Sequence, residues 1–196
     1  IRNAAKNHNT KIHGTTYCDE LCEFLIQSNA IERYHVDIDD ALSASRSFLK
    51  GLPVKYCSDS EYIRSHLNAL ETAAFFIDID SPLKIQQIHN ALGQHVMERG
   101  VAGEFRNFEH YARNTGYQYT HPNDILHKIL DWCSDKYNSI FERHAAYECI
   151  HPFSDGNGRS GRIILASDAN FDLLKVNNMI GSDYLPNIIS YQNIVV

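Results

Sequence analysis

Residues 151–162 read HPFSDGNGRSGR, and this stretch decides how the rest of the chain is interpreted. A helical apolar run ends near Ile150, a glycine-rich turn follows, and Ile163-Ile164-Leu165 resumes an apolar segment. Gly156 and Gly158 allow backbone geometries and close approaches that a side chain would block. Backbone N–H groups in such a turn, opening onto a helix N-terminus, form a cradle for an anion. Arg159 and Arg162 stand three residues apart on that helix, so both guanidinium forks can serve one anion. Asp155 lies among these cations, where a carboxylate can hold a divalent metal beside phosphates. His151 can accept a proton near neutral pH. Each feature alone has a plain structural explanation: a satisfied histidine, a turn, a solvated helix face. Together, within twelve residues, they are the components of nucleotidyl or phosphoryl transfer.

Working outward, apolar residues recur mostly at helical spacing. Leu21, Phe24, Leu25, Ser28 and Glu32 share one side of a helix from about 18 to 33. Ile38, Leu42, Ser45 and Leu49 form a second stripe, stopped by Gly51 and Pro53. Ser58 and Glu61 can form a capping box for a third helix, with the stripe Ile63, Leu67, Leu70, Ala74 and Ile77. Ser81-Pro82 opens a fourth, carrying Ile85, Ile88, Leu92 and Val96 and expected to end at Gly100. Residues 125–150 hold two stripes: Ile125, Ile129 and Trp132, then Tyr137, Ile140, Phe141, His144, Ala145 and Glu148. Between Gly103 and Thr120 the helical period vanishes, and the aromatic-rich EFRNFEHYARNTGYQYT predicts a short exposed β-hairpin. Tyr184-Leu185 and Ile188-Ile189 predict one last packing helix, with no recognisable DNA-binding element after residue 174.

Composition narrows the class. The 196 residues are 43% hydrophobic, enough for a real core. Lys+Arg total 18 against 24 Asp+Glu, a net charge of −6, which argues against a broadly basic nucleic-acid surface. No apolar run approaches the roughly 20 residues that span a bilayer. Ile1 begins a polar stretch without a signal-peptide pattern, and residues upstream of it are left open. The five scattered cysteines, Cys18, Cys22, Cys57, Cys133 and Cys149, fit a reducing compartment. Cys18 and Cys22 follow His8 and His13, but no second pair comes at zinc-finger spacing, so plain thiols are expected. The expected location is the cytoplasm, its own or a host's if the protein is a delivered effector.

HPFSDGNGRSGR resembles the signature of the Fic family, His-x-Phe-x-(Asp/Glu)-Gly-Asn-Gly-Arg-x-x-Arg, at every specified position. The likeness extends over roughly Ser58 to Leu173: Ala145-Ala146 and Ile150 resemble the run-in, Gly103-Glu104-Phe105-Arg106 the start of a flap, His121-Pro122 the helix after it, and His89 with Leu92 an earlier helix. The resemblance implies an all-α, Fic-type helical bundle with a short β-hairpin flap. It divides the chain into an N-terminal helical region, 1–57, and a core domain, 58–196.

It also implies transfer of AMP from ATP to a Ser, Thr or Tyr hydroxyl of a protein target. His151 would be the general base, Phe153 the loop's anchor, and Asp155 the ligand of Mg²⁺ or Mn²⁺. Gly156, Asn157, Gly158, Arg159 and Arg162 would hold the ATP phosphates. Phe105, Arg106, Phe108, Glu109, His110 and Tyr111 would form the target-binding flap. Relatives with Lys for the second loop glycine act as kinases, and relatives with Ala for the first transfer phosphocholine; Gly158 and Gly156 favour AMP. The expected partner is a protein, with no nucleic acid and no membrane; a homodimer that modifies itself is compatible with this. Removal of AMP, transfer of another nucleotide or phosphate group, and a non-catalytic interaction module are the alternatives.

Ser28-Asn29-Ala30-Ile31-Glu32-Arg33 resembles the family's inhibitory helix, (Ser/Thr)-x-x-x-Glu-(Gly/Asn), except at Arg33. That likeness implies that Glu32, with Ser28, pairs with Arg162 and competes with the γ-phosphate. Arg33 is expected to end the helix in some way other than a Gly or Asn cap.

Overall fold

The computed structural model describes residues 1, 16–55, 60–98 and 100–194. Nine helices are formed among them: α1 (Tyr17–Ile31), α2 (Ile38–Leu49), α3 (Ser60–Ala73), α4 (Pro82–Gly93), α5 (Ile125–Ser134), α6 (Ile140–Ile150), α7 (Asn157–Asp168), α8 (Leu173–Met179) and α9 (Tyr184–Ile194). The described residues contain no strand. None of their helices is long and apolar enough to cross a membrane. His8, His13, Cys57 and Ser58 lie outside the described residues. Among the described residues, no group of three or more His, Cys, Asp or Glu is disposed to hold a metal.

The core wraps α7. Leu21 and Leu25 of α1, Ile63 and Leu67 of α3, Ile85 and Ile88 of α4, Trp132 of α5 and Tyr147 of α6 join Ile163 and Leu165 in one cluster. From Ser160 to Ala166 every residue of α7 is buried. A helix enclosed on all sides must satisfy its polar side chains inside the protein, so Arg159 and Arg162 need built partners.

Helix α1 starts at a reciprocal cap: Thr16 Oγ accepts from the Asp19 amide, and Asp19 Oδ2 accepts from the Thr16 amide. It ends in a Schellman motif, with Arg33 N–H donating to Ala30 O and Tyr34 N–H to Asn29 O. Arg33 takes the left-handed position itself, at φ 65°. The expectation that arginine must end this turn differently is therefore corrected. A non-glycine residue there costs about 1 kcal/mol. Arg33→Gly is expected to raise Tm by about 2–4 °C in a thermal melt.

Several boundaries and faces differ from the sequence reading. Helix α2 buries Ala41, Ala44, Ser45 and Phe48, while Ile38 is 65% exposed in the first turn beneath the Asp37 cap. Leu42 and Leu49 are partly buried against the same core. Ile77 falls beyond the end of α3 and is 96% exposed. Helix α4 stops at Gly93, not Gly100, because the chain folds back on itself: a Cβ at Gly93 would collide with Met97 Sδ and stand 2.7 Å from Ala102 Cβ. The last packing helix expected at Tyr184-Leu185 and Ile188-Ile189 is α9, and the short helix α8 precedes it. The expected β-hairpin is an irregular loop, held by the bridge Tyr111–Gln118 and the bonds Ala112 N–H to Tyr117 O and Tyr119 N–H to His110 O.

Candidate active site

The α6–α7 junction is a rigid bend. His151 leaves α6 at φ 51°, and Gly156 enters α7 at φ 75°. A Cβ at Gly156 would run into the Met97 methyl and lie 3.2 Å from His89 Nε2, so glycine is required by both torsion and space. Asn157 fixes the loop between: its Oδ1 accepts from Phe153 N–H at 2.8 Å, and its Nδ2 donates to Phe153 O at 2.7 Å. The Asn157 amide, expected among the phosphate ligands, is thus engaged by the loop's own backbone. Asp155 Oδ1 accepts from the Gly156 amide at 2.7 Å and Oδ2 from Arg159 Nη2 at 3.2 Å, while its side chain remains 59% exposed. Arg159 is buried, its guanidinium 5.0 Å from the Tyr34 ring, which stacks on Tyr62.

His89 ties this loop to the flap. Gly103 N–H donates to its Nδ1 at 2.8 Å, which puts the proton on Nε2, and Nε2 donates to Asp155 O at 2.8 Å. Its ring lies flat on Phe153 with centroids 3.6 Å apart. The sequence placed His89 in a family-like helix but did not reveal this bridge.

The six expected flap residues divide into two groups. Phe105 bridges to Phe153, and Arg106 N–H donates to Pro152 O at 2.9 Å. Arg106 is buried and turned inward: Nε donates to His151 O at 2.8 Å, Nη1 to Phe108 O at 2.6 Å, and Nη2 to Thr120 O and Ile150 O. It clamps both limbs of the flap to the α6 terminus instead of facing outward to a target. His110 stacks toward His151 at 5.4 Å. Phe108, Glu109 and Tyr111 are exposed, with Tyr111 OH donating to Glu109 Oε2 at 2.9 Å. Tyr119, which the sequence reading did not single out, stacks on His151 at 3.9 Å. Burial, with the nearby His110 and Arg106, pushes the His151 imidazole down to about 3, so it is neutral in this state.

Arg162 is 1% exposed and held on three sides. Nη2 meets Glu32 Oε1 at 2.8 Å and Ser28 O at 2.8 Å. Nε donates to Ser28 Oγ at 3.0 Å; Ser28 Oγ lies 3.1 Å from His66 Nε2, and His66 Nδ1 lies 3.1 Å from Tyr62 O. A carbonyl only accepts, so His66 carries its proton on Nδ1, and its Nε2 accepts a hydrogen bond from the Ser28 hydroxyl. A parallel chain runs from Arg162 Nη1 to Tyr184 OH at 3.4 Å, on to His144 Nε2 at 2.9 Å, and from His144 Nδ1 to Gly161 O at 3.1 Å. The structure thus brings Ser28, Glu32 and Arg162 together, across 130 residues between the two charges. His66, His144 and Tyr184 are the additions; their only sequence signal is a polar or amphipathic residue on an apolar helix face.

Both histidines must be neutral to support Arg162. Burial holds His66 and His144 at about 3 and His89 at about 4. Their unfolded value is near 6.5, so above that pH they add no pH dependence. Below it the unfolded chain takes up protons that the folded state refuses, and stability falls with pH. Each costs about 1 kcal/mol between pH 6.5 and 5.5. His151, held at about 3, adds a fourth such group, and Glu148, pushed up by burial to about 8, acts in the opposite direction and offsets roughly one of the four. Thermal melts are expected to show a net loss of about 3 kcal/mol over that interval. His144→Gln is expected to reduce the histidine part of the slope by about a quarter.

A family model described as Fic/DOC family matches residues 80–167. A Fic family protein from Desulfovibrio desulfuricans G20 superposes with TM-score 0.66 at 17% identity, over 96% of this chain and 59% of that one. Fic-1 from C. elegans gives 0.64 at 18% identity, over 98% and 63%. A Fic domain containing signalling protein from Bacteroides thetaiotaomicron VPI-5482 gives 0.60 at 16%, over 91% and 83%. At these identities the likeness shows the fold. The chain spans about three fifths of the length of the first two. No curated protein matches it in sequence.

Proposed function

We propose that this chain, which belongs to the Fic/DOC family and so to enzymes that transfer nucleotide or phosphate groups to proteins, is a protein adenylyltransferase held off by its own Glu32. The observation that carries the reading is the carboxylate seated on the motif helix. Glu32 Oε1 occupies the space beside Gly158 where a Cβ would be, and pairs with buried Arg162. An anionic group already rests where the motif's glycine and arginine would receive a phosphate.

The chemistry assigned to the site is displacement at the α-phosphorus of ATP. A hydroxyl of the target protein gives its proton to His151, its oxygen bonds to the α-phosphorus, and the bond to the β-phosphate oxygen breaks. Pyrophosphate leaves with the electron pair. Arg159 and Arg162 balance phosphate charge, and the first turn of α7 directs its N–H groups toward the same region. Arg106 holds the flap and the His151 backbone as one unit, so that a target segment beside Phe108 and Tyr111 lies near the base. Asp155 suits a hard dication: its carboxylate is mostly exposed at the loop's edge and supplies oxygen ligands. Mg²⁺ held there by Asp155 would neutralise phosphate charge and orient the triphosphate.

The test uses the Glu32→Gly protein with ATP labelled at either the α- or the γ-phosphorus, incubated with itself and with cell extract. Label on protein from the α-position alone is the expected result. Label from the γ-position would make the site a kinase. ATP binding without any transfer would favour an interaction module.

A further inference from the structure

Glutamate 148, on the inner face of α6, is buried beside the motif helix. Its Oε1 has no hydrogen-bond partner. The two carboxylates near Arg162 approach α7 through two glycines three residues apart. A Cβ at Gly158 would collide with Glu32 Oε1, and a Cβ at Gly161 would collide with Glu148 Oε1. Arg162, next along the helix, therefore has one glutamate on its mouth side and another on its core side. Only the outer one is bonded to it. We propose that Glu148 is a positioning residue: a second, internal counter-ion that keeps the Arg162 guanidinium seated when Glu32 withdraws. This rests on the reading of Glu32 as a group that leaves Arg162.

The physical argument is charge balance. A buried guanidinium without a counter-ion is strongly unfavourable. While Glu32 is paired, a second ionised carboxylate would face both desolvation and the first carboxylate. Burial, opposed by Arg162 and aided by Glu32, accordingly pushes Glu148 up to about 8. When Glu32 leaves, its repulsion goes with it and Arg162 is unbalanced, so Glu148 gives up its proton to solvent and supplies the missing charge. When phosphate arrives, the proton returns. The other groups facing Glu148 do not replace it. His144 on the same helix lies 3.9 Å from Oε1, but burial and Arg162 keep it neutral. Tyr147 and Cys149 on α6, Tyr184 on α9 and Tyr119 on the flap are all raised and uncharged at neutral pH. Arg162 and Glu32 are the charges it responds to.

The size of one substitution's effect in two backgrounds separates this role from simple packing. In the parent protein Glu148 is raised above its unfolded value. Stability is therefore lost as pH climbs from about 4.5 to about 8, and removing the group removes that loss. Glu148→Gln is expected to raise Tm by a few degrees at pH 8 in the parent. In the Glu32→Gly background that gain is expected to shrink or vanish, because the carboxylate there balances Arg162 and its midpoint lies nearer the unfolded value. Equal effects in the two backgrounds would overturn the proposal. A second measurement needs no double variant: carboxyl ¹³C titration of Glu148. Its midpoint is expected to fall by about 1–3 units in Glu32→Gly. An unchanged or higher midpoint would overturn the proposal. Neither readout involves AMP transfer, so failure here is distinguishable from failure of the adenylyltransferase reading.

Discussion

Glu32→Gly is expected to raise AMP transfer by about two orders of magnitude. The inhibited state needs Glu32 to hold Arg162 against the incoming γ-phosphate. A 99:1 bias toward that state requires about 2.7 kcal/mol. The geometry is suited to supply it. Arg162 is enclosed, so its charge is poorly screened, and the Nη2–Oε1 contact is 2.8 Å. Glu32 is 34% exposed, so it can swing into solvent without leaving a buried charge behind. The Schellman turn at Ala30–Tyr34 fixes where its backbone sits, and Ser28 on the preceding turn contributes two further acceptors to the same guanidinium. Glycine removes the competing anion and leaves Ser28 in place. Initial rates of labelled AMP incorporation give the measurement. A rate within twofold of the parent would end the assignment of Glu32 as a brake, whatever the activity of the site.

His151→Ala, made in the Glu32→Gly background, is expected to lower the transfer rate by about 10²–10⁴-fold. The effect should fall on kcat, because the His151 ring packs against Tyr119 and His110 of the flap and not against the two motif arginines expected to hold phosphate. Backbone geometry calls for a control. His151 occupies the left-handed region at φ 51°, where alanine is strained. Asparagine tolerates that conformation, so His151→Asn separates loss of the base from distortion of the bend. Both variants are expected to be equally inactive and to bind ATP as the Glu32→Gly protein does. Activity above a tenth of the reference in the asparagine variant would mean that His151 is not the general base.

The degree to which the site can be read from sequence follows from where its parts come from. The α6–α7 junction is contiguous in the chain, so torsional demands at Gly156, the charge of Arg159 and Arg162 and the helix start are all visible in HPFSDGNGRSGR. Ser28 and Glu32 are visible as a pair because a helical turn separates them. The rest of the Arg162 enclosure is assembled from His66 of α3, His144 and Glu148 of α6 and Tyr184 of α9, and only folding brings these helices together. His144 and Glu148 sit in a stripe that periodicity marks as inward-facing, yet periodicity does not say what they face.

Misreadings have equally local causes. The aromatic-rich stretch between Gly103 and Thr120 suggests a short exposed β-hairpin, but Phe105 and Tyr119 are there to pack on Phe153 and His151. Arg106 looks like a surface charge in a polar loop; its burial against four carbonyls is set by the bend at His151, far along the chain. On α2 the expected Ser45, Leu42 and Leu49 do face inward, whereas Ile38 does not, and Ala41, Ala44 and Phe48 share the buried face.

The central claim is that Glu32 and the terminal phosphate of ATP compete for Arg162. Calorimetric titration of ATP and ADP into the parent and the Glu32→Gly protein tests it directly. The account predicts that the substitution tightens ATP by about tenfold or more while leaving ADP nearly unchanged, since only ATP carries the phosphate that takes the glutamate's place. Equal tightening of both nucleotides, or of neither, would contradict it.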